Sequence, residues 1–159
     1  MSQWHDEADL EGERRKRSSD FLTIQIGEQM FGIPVLQVQD VLGQQKVTKI
    51  PLAPPEVAGS LNLRGRVVTA INVRKRLGLP DNDNENTKEM SVVVEHENEL
   101  FSLIIDKVGD VLSLSDDTYE KNPSTLDPLW REVSSGIYRL NDKLLIVMDV
   151  PRFLNSVHV

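Results

Sequence analysis

Two aspartates are the residues best placed for chemistry in this chain. Asp40 and Asp110 lie 70 positions apart in matching words, Asp40-Val41-Leu42 and Asp110-Val111-Leu112. Two carboxylates supplied by two similar lobes can share a proton, as in aspartic proteases. That chemistry needs Asp-Thr/Ser-Gly, which neither word provides. The aspartates are read instead as turn caps or as partners for an arginine. The three histidines, His5, His96 and His158, share no helical or strand spacing, so they do not define a metal site. The absence of cysteine excludes disulfides, zinc–thiolate centres and thiol chemistry. No Gly-rich phosphate loop, nucleophile elbow or calcium loop is present. The sequence predicts neither an enzyme nor a cofactor.

One cation stands in an unusual place. The segment G-S-L-N-L-R-G-R-V-V-T-A-I-N-V-R-K-R-L-G-L, residues 59–79, gathers Arg64, Arg66, Arg74, Lys75 and Arg76 in a chain of net charge −7. A solvated rim accounts for most such runs. Arg64, however, sits beside Gly65 at a predicted hairpin tip, between Leu63 and Val67. A guanidinium there offers a rigid fork to carboxylates or backbone carbonyls. Its spacing leaves open whether the fork meets a partner or an internal ion-pair acceptor such as Asp40. The basic run also raises a nucleic-acid reading. The negative net charge and the small aromatic content, two Trp, two Tyr and four Phe, argue against it.

The elements that must position these residues come in two copies. Leu22 to Leu42 is echoed without a gap: Phe31 maps to Phe101, Val38 to Val108 and Asp40 to Asp110, each 70 positions on. After a change in loop length the offset becomes 77, and Gly59 maps to Gly136, Leu63 to Leu140 and Asn72 to Asp149. So long a period marks a duplicated small domain rather than a solenoid. Each copy holds roughly 60 residues, a size at which an isolated core is marginal, so the halves are expected to pack together. Within each copy, period-two segments flank turns at Gly27-Glu28, Arg64-Gly65, Glu97-Asn98 and Asn141-Asp142, predicting hairpins. The pattern predicts an all-β chain of two barrels of about five strands each, because closure removes exposed sheet edges. The boundaries read as a disordered charged tail over 1–20 and a first barrel over about 21–79. An acidic linker over 80–89 leads to a second barrel over about 90–150, with the chain free to cross between barrels. Short helices are expected, including a terminal one over 151–157, with Asp149 as a candidate N-cap ahead of Pro151. The first twenty residues do not read as a signal peptide, and no apolar run approaches a membrane span.

Three words together carry a family resemblance: G-I-P-V-L-Q-V-Q-D-V, V-A-G-S-L-N-L-R-G-R-V-V-T-A-I-N-V-R and I-I-D-K-V-G-D-V-L-S-L. In this order, over about 21–154, the chain resembles the CheW family of bacterial chemotaxis coupling proteins. The resemblance implies two five-stranded SH3-like barrels with a cleft between them. It also implies a non-catalytic cytoplasmic adaptor joining chemoreceptor tips to the regulatory domain of a CheA-type histidine kinase. Recruitment to membrane-associated receptor arrays, and ring assembly with the kinase or with other CheW copies, belong to the same implication. So does a related adaptor role with a pilus or other non-flagellar output. Carried over by position, the receptor-facing residues are Val38, Gln39, Asp40, Gly59, Asn62, Leu63, Arg64 and Val108. The kinase-facing ones are Thr125, Leu126, Leu129 and Trp130. The chain departs from the family pattern at Pro34, where an acidic residue is frequent, and at Asn72, where Asp is common.

Overall fold

The computed structural model describes residues 17–80 and 88–157. Most of the charged tail and residues 81–87 of the acidic linker lie outside the described residues. The first copy contains β1 (Ser18–Ile26), β2 (Gln29–Pro34), a 3-10 turn over Val35–Gln37, β3 (Val38–Leu42), β4 (Val57–Leu63), β5 (Arg66–Asn72) and α1 (Val73–Arg76). The second contains β6 (Met90–His96), β7 (Glu99–Ile105), β8 (Lys107–Ser115), β9 (Tyr119–Glu120), α2 (Pro128–Val133), β10 (Ser134–Leu140), β11 (Lys143–Met148) and α3 (Val150–Ser156). The strand β1 begins inside the segment read as tail, because Ser18, Ser19 and Asp20 pair with Ser115, Leu114 and Ser113.

The sheets do not follow the halves of the chain. Among the described residues, a six-stranded sheet has the order β8-β1-β2-β11-β10-β9 and a five-stranded sheet the order β3-β6-β7-β5-β4. The five-stranded sheet therefore takes β3, β4 and β5 from the first copy and the β6–β7 hairpin from the second. The six-stranded sheet takes β8 to β11 from the second copy and the β1–β2 hairpin from the first. The chain thus crosses between the sheets, as the sequence left open, and neither sheet coincides with 21–79 or with 90–150. Five strands form one sheet, and the two-residue β9 adds a sixth at the edge of the other. The exchange keeps the duplication's register. Phe31 pairs with Ile146 in parallel, and its echo Phe101 pairs with Thr69, the residue 77 positions before Ile146.

Alternation along the strands separates three clusters. One face of the exchanged hairpins carries Leu22, Ile24, Ile26, Phe31, Ile33, Val92, Val94, Phe101, Leu103 and Ile105 into a core shared by both sheets. The other face of the hairpins adds Phe21 to a smaller cluster with Tyr138, Leu145 and Val147 in one sheet, and Val93 and Leu100 to a cluster with Val68 in the other. Burying one such side chain contributes roughly 1.5–3 kcal/mol. The contribution of a single hairpin to the shared core thus rivals the whole net stability of an ordinary domain, about 5–15 kcal/mol. Neither half can keep its fold without the other.

Chain ends and crossings follow the same pseudo-symmetry. Asn72 caps α1 by accepting from the Lys75 N–H at 3.2 Å, and Asp149 caps α3 by accepting from the Arg152 N–H at 3.1 Å. Asn72 thus makes the same cap as its echo Asp149. Gly59 and Gly136 each sit at a register shift in a hairpin. At Gly59 the chain passes so close to Thr48, which exchanges two 2.8 Å backbone hydrogen bonds with Ser60, that no side chain fits.

Candidate functional site

The two edge strands of the five-stranded sheet are brought together by charge. Arg64 lies at the tip of the β4–β5 hairpin with φ of 52°, and Gly65 follows with φ of 84°. A two-residue hairpin turn of this hand needs positive φ at both positions. Asn62 braces it by accepting from the Gly65 N–H through Oδ1 at 3.0 Å. The left-handed conformation costs a non-glycine residue roughly 1–2 kcal/mol. The twin turn uses Asn141 and Asp142, whose short polar side chains suit tight turns. Glu97 and Asn98 take the same left-handed conformation at the β6–β7 tip, whereas Asn141 and Asp142 do not.

From that tip Arg64 Nη2 reaches Asp40 Oδ2 at 3.0 Å, with the arginine side chain 80% exposed and the aspartate 25% exposed. Asp40 Oδ1 accepts from the Val41 N–H at 2.9 Å, which fixes the carboxylate beside the register shift in β3. Asp40 Oδ2 is buried and makes no directed hydrogen bond, so the guanidinium meets it as a charge. The sequence left a partner contact and an internal pair open, and the geometry gives the pair. The pair is asymmetric: Asn141 replaces the arginine in the second copy, and Asp110 is exposed.

Around this pair Gln39 and Asn62 are exposed, as are the apolar side chains of Val41 and Val67. Sequence reasoning missed these two valines, because a valine in a strand carries no mark of facing outward. Leu63 turns inward and packs on the small cluster of its own sheet. Val38 and Val108 are both half-buried against the shared core, on edge strands of different sheets. Val108 pairs with Ile24 and belongs to the other sheet from Arg64. Gly59 is buried. The site residues thus divide into a contiguous tip and edge (Gln39, Asp40, Asn62 and Arg64), inward-packed apolar positions, and one glycine demanded by a crossing strand.

The second candidate group divides similarly. Thr125 and Leu129 are exposed, whereas Leu126 is buried in the shared core. Trp130 donates from Nε1 to the Leu77 carbonyl at 3.0 Å and sets its ring edge-on to Phe31 at 5.7 Å. Its side chain ties α2 to the core. Among the described residues, no cluster of His, Asp and Glu could hold a metal ion, and no helix is long and apolar enough to cross a membrane.

The described residues thus form a mostly β chain of two sheets with exchanged hairpins and a charged hairpin tip at an exposed edge. Residues 20–158 match the model of the CheW-like domain. The chain belongs to the CheW family of chemotaxis scaffold proteins. It is 30% identical to chemotaxis protein CheW of Treponema pallidum over 85% of this chain and 81% of the relative. It is also 30% identical to chemotaxis protein CheW of Klebsiella aerogenes, over 86% of this chain and 82% of the relative. The crystal structure of scaffolding protein TtCheW from Thermoanaerobacter tengcongensis superposes with a TM-score of 0.76 at 25% identity, covering 86% and 87% of the two chains. The family is non-catalytic.

Proposed function

We propose that this chain is the cytoplasmic adaptor that couples chemoreceptor tips to the regulatory domain of a CheA-type histidine kinase. The observation that carries the reading is Arg64, held in a strained turn over Asp40 on an exposed edge, within the family's N-L-R-G word. The receptor's helical hairpin would meet Gln39, Asp40, Asn62 and Arg64, with Val38 and Val108 as apolar anchors where the two sheets meet. The kinase would meet a different surface, near Thr125 and Leu129. Contacts of this kind need about 800 Å² per partner or less, and repetition in an array multiplies weak ones. Coupling further requires unequal affinity for two partner states, since equal affinity shifts no equilibrium.

Calorimetric titration with the kinase regulatory domain of the same organism tests the reading. Saturable one-to-one binding at micromolar affinity or tighter, about 8 kcal/mol or more, supports it. No binding between two folded proteins would overturn the pairing with that kinase.

A further inference from the structure

Both tyrosines of the chain meet at one mouth of the six-stranded sheet. A cavity of about 310 Å³ opens there, lined by Phe21, Pro34, Asp116, Tyr119, Tyr138 and Val147 among others. Phe21 and Pro34 come from the exchanged β1–β2 hairpin and the other four from the second copy, so the site exists only through the exchange. The Tyr138 ring centroid lies 5.5 Å from that of Phe21 and 5.4 Å from that of Tyr119, each pair of rings inclined at 59°. A buried tyrosine ordinarily finds a partner for its hydroxyl, and Tyr119 donates to the Ser135 carbonyl. Tyr138 is 2% exposed, yet among the described residues nothing hydrogen-bonds its hydroxyl.

At the corresponding place in the five-stranded sheet the rings are missing. Ser91 corresponds to Phe21 and Ile104 to Pro34 at the offset of 70, and Leu61 corresponds to Tyr138 and Ala70 to Val147 at the offset of 77. The twin sheet folds without rings at this end, so packing alone does not demand them. Charge points the same way. Among the described residues lining the cavity Asp116 is the only charged one, and no described cation pairs with it. Burial first, and then the negative charges of Asp116 and of ionised Tyr119, hold the Tyr138 phenol above its ordinary pKa. The carboxylate thus projects its field onto rings whose own faces are negative.

We infer that this mouth binds a small organic cation, an alkylated ammonium whose methyl groups rest on Phe21, Tyr119 and Tyr138 and whose charge faces Asp116. A cation within about 6 Å of a ring centroid is drawn to the negative face of the ring. A primary ammonium or a guanidinium would leave donors unpaired unless several acceptors met it. The acceptors here are largely taken, the Ser135 carbonyl by Tyr119 and Asp116 Oδ1 by the Ser19 hydroxyl at 3.1 Å. An alkylated ammonium needs none, and its methyl groups suit the apolar wall of Phe21, Pro34 and Val147. An apolar cavity of about 150 Å³ accepts benzene, so this one has room for a trimethylammonium group and a short tail. The site lies on the other sheet from Arg64 and does not rest on the adaptor reading.

Titrating the isotope-labelled full chain with choline, and separately with dimethylbutanol, tests the inference by amide shifts at matched ionic strength. The alcohol has choline's shape, with carbon in place of the ammonium nitrogen, and no charge. The expected result is saturable shifts at Phe21, Tyr119 and Tyr138, with choline tighter than the alcohol by about fivefold, the effect of a moderate cation–ring contact. Tyr119→Ala removes one wall and should weaken choline binding several-fold. Asp116→Asn, a smaller change, should reduce the preference for choline over the alcohol, and it carries the test if Tyr119→Ala does not fold. Absence of saturable shifts at millimolar choline in the folded chain, or equal binding of the two probes, would overturn the site. An unchanged preference in Asp116→Asn would overturn the role of the carboxylate.

Discussion

Arg74 and Asp106 meet as a two-point fork across the duplication, with Nε 2.7 Å from Oδ1 and Nη2 2.5 Å from Oδ2. Arg74 belongs to α1 of the first copy, and Asp106 to the bend between β7 and β8 of the second. The Gly27 N–H donates to the same Oδ2 at 2.7 Å, and Arg74 Nη1 donates to the Pro80 carbonyl at 2.7 Å. One carboxylate therefore gathers the β1–β2 turn of one sheet with the helix that follows the other. Its counterpart at the offset of 70 is Leu36, which is fully exposed, so the lock exists once in the molecule.

Burial alone would raise the Asp106 pKa, but hydrogen bonds from Arg74 and the Gly27 N–H, with the arginine charge, hold it below the usual value. A lowered folded pKa stabilises the native state above the unfolded value of about 4, and the contribution disappears as pH falls through the folded value. At pH 7, Arg74→Ala should cost about 2–3 kcal/mol, near the lower end for breaking a largely buried pair. Urea unfolding from pH 7 down to pH 3 should show the parent's advantage over Asp106→Asn shrinking below about pH 4. A difference independent of pH would exclude the linkage.

Arg64→Ala should change stability by less than about 1 kcal/mol, because the guanidinium of the pair is 80% exposed and screened by water. Binding to a receptor tip should nonetheless weaken. Arg64→Gly, which relieves the left-handed strain, should melt no lower than the parent and lose the same binding. If Arg64→Ala melts far below the parent, the pair with Asp40 is a structural strut instead.

Gly59→Ala and Gly136→Ala should differ although the two positions are echoes. A Cβ on Gly59 would enter the Thr48 carbonyl, and its φ of 148° suits only glycine. On Gly136 a Cβ would meet the ring of Tyr119 and the Glu120 carbonyl, but the backbone there is not left-handed, so strain adds nothing to the clash. Gly59→Ala should cost about 3 kcal/mol or more, and Gly136→Ala less. Equal melting temperatures for the two variants would contradict the close approach at Thr48.

Cutting the chain between residues 80 and 88 should leave a complex of two fragments. Each fragment holds a hairpin whose sheet lies in the other, so neither should fold alone. Circular dichroism of the separate fragments and of their mixture tests this. An independently folded fragment 17–80 would be incompatible with the exchanged hairpins.

The hairpins were legible in the sequence because turn residues and alternation are local. Their exchange was not, since each copy presents the same period and register, and a hairpin fits either set of partner strands equally well. Asp40 and Arg64 were visible as residues, but their meeting depends on how the sheet curls. Gly59 drew attention through its family word, while its echo at Gly136 was the signal that a backbone crossing required it. Arg74 was lost in a basic run. Its partner Asp106 could have been noticed as a charge in an apolar stretch where the first copy has Leu36.

The exchanged hairpins also set a schedule for synthesis. Phe31 leaves the ribosome long before Ile146, its parallel neighbour, has been made. At roughly 5–20 residues per second that interval is on the order of ten seconds. Through it the first hairpin must wait with one apolar face uncovered, and no stable nucleus can assemble from the first half alone. A nascent chain of this fold is therefore committed late, and its period of greatest exposure to aggregation and to chaperones ends only when the last strand emerges.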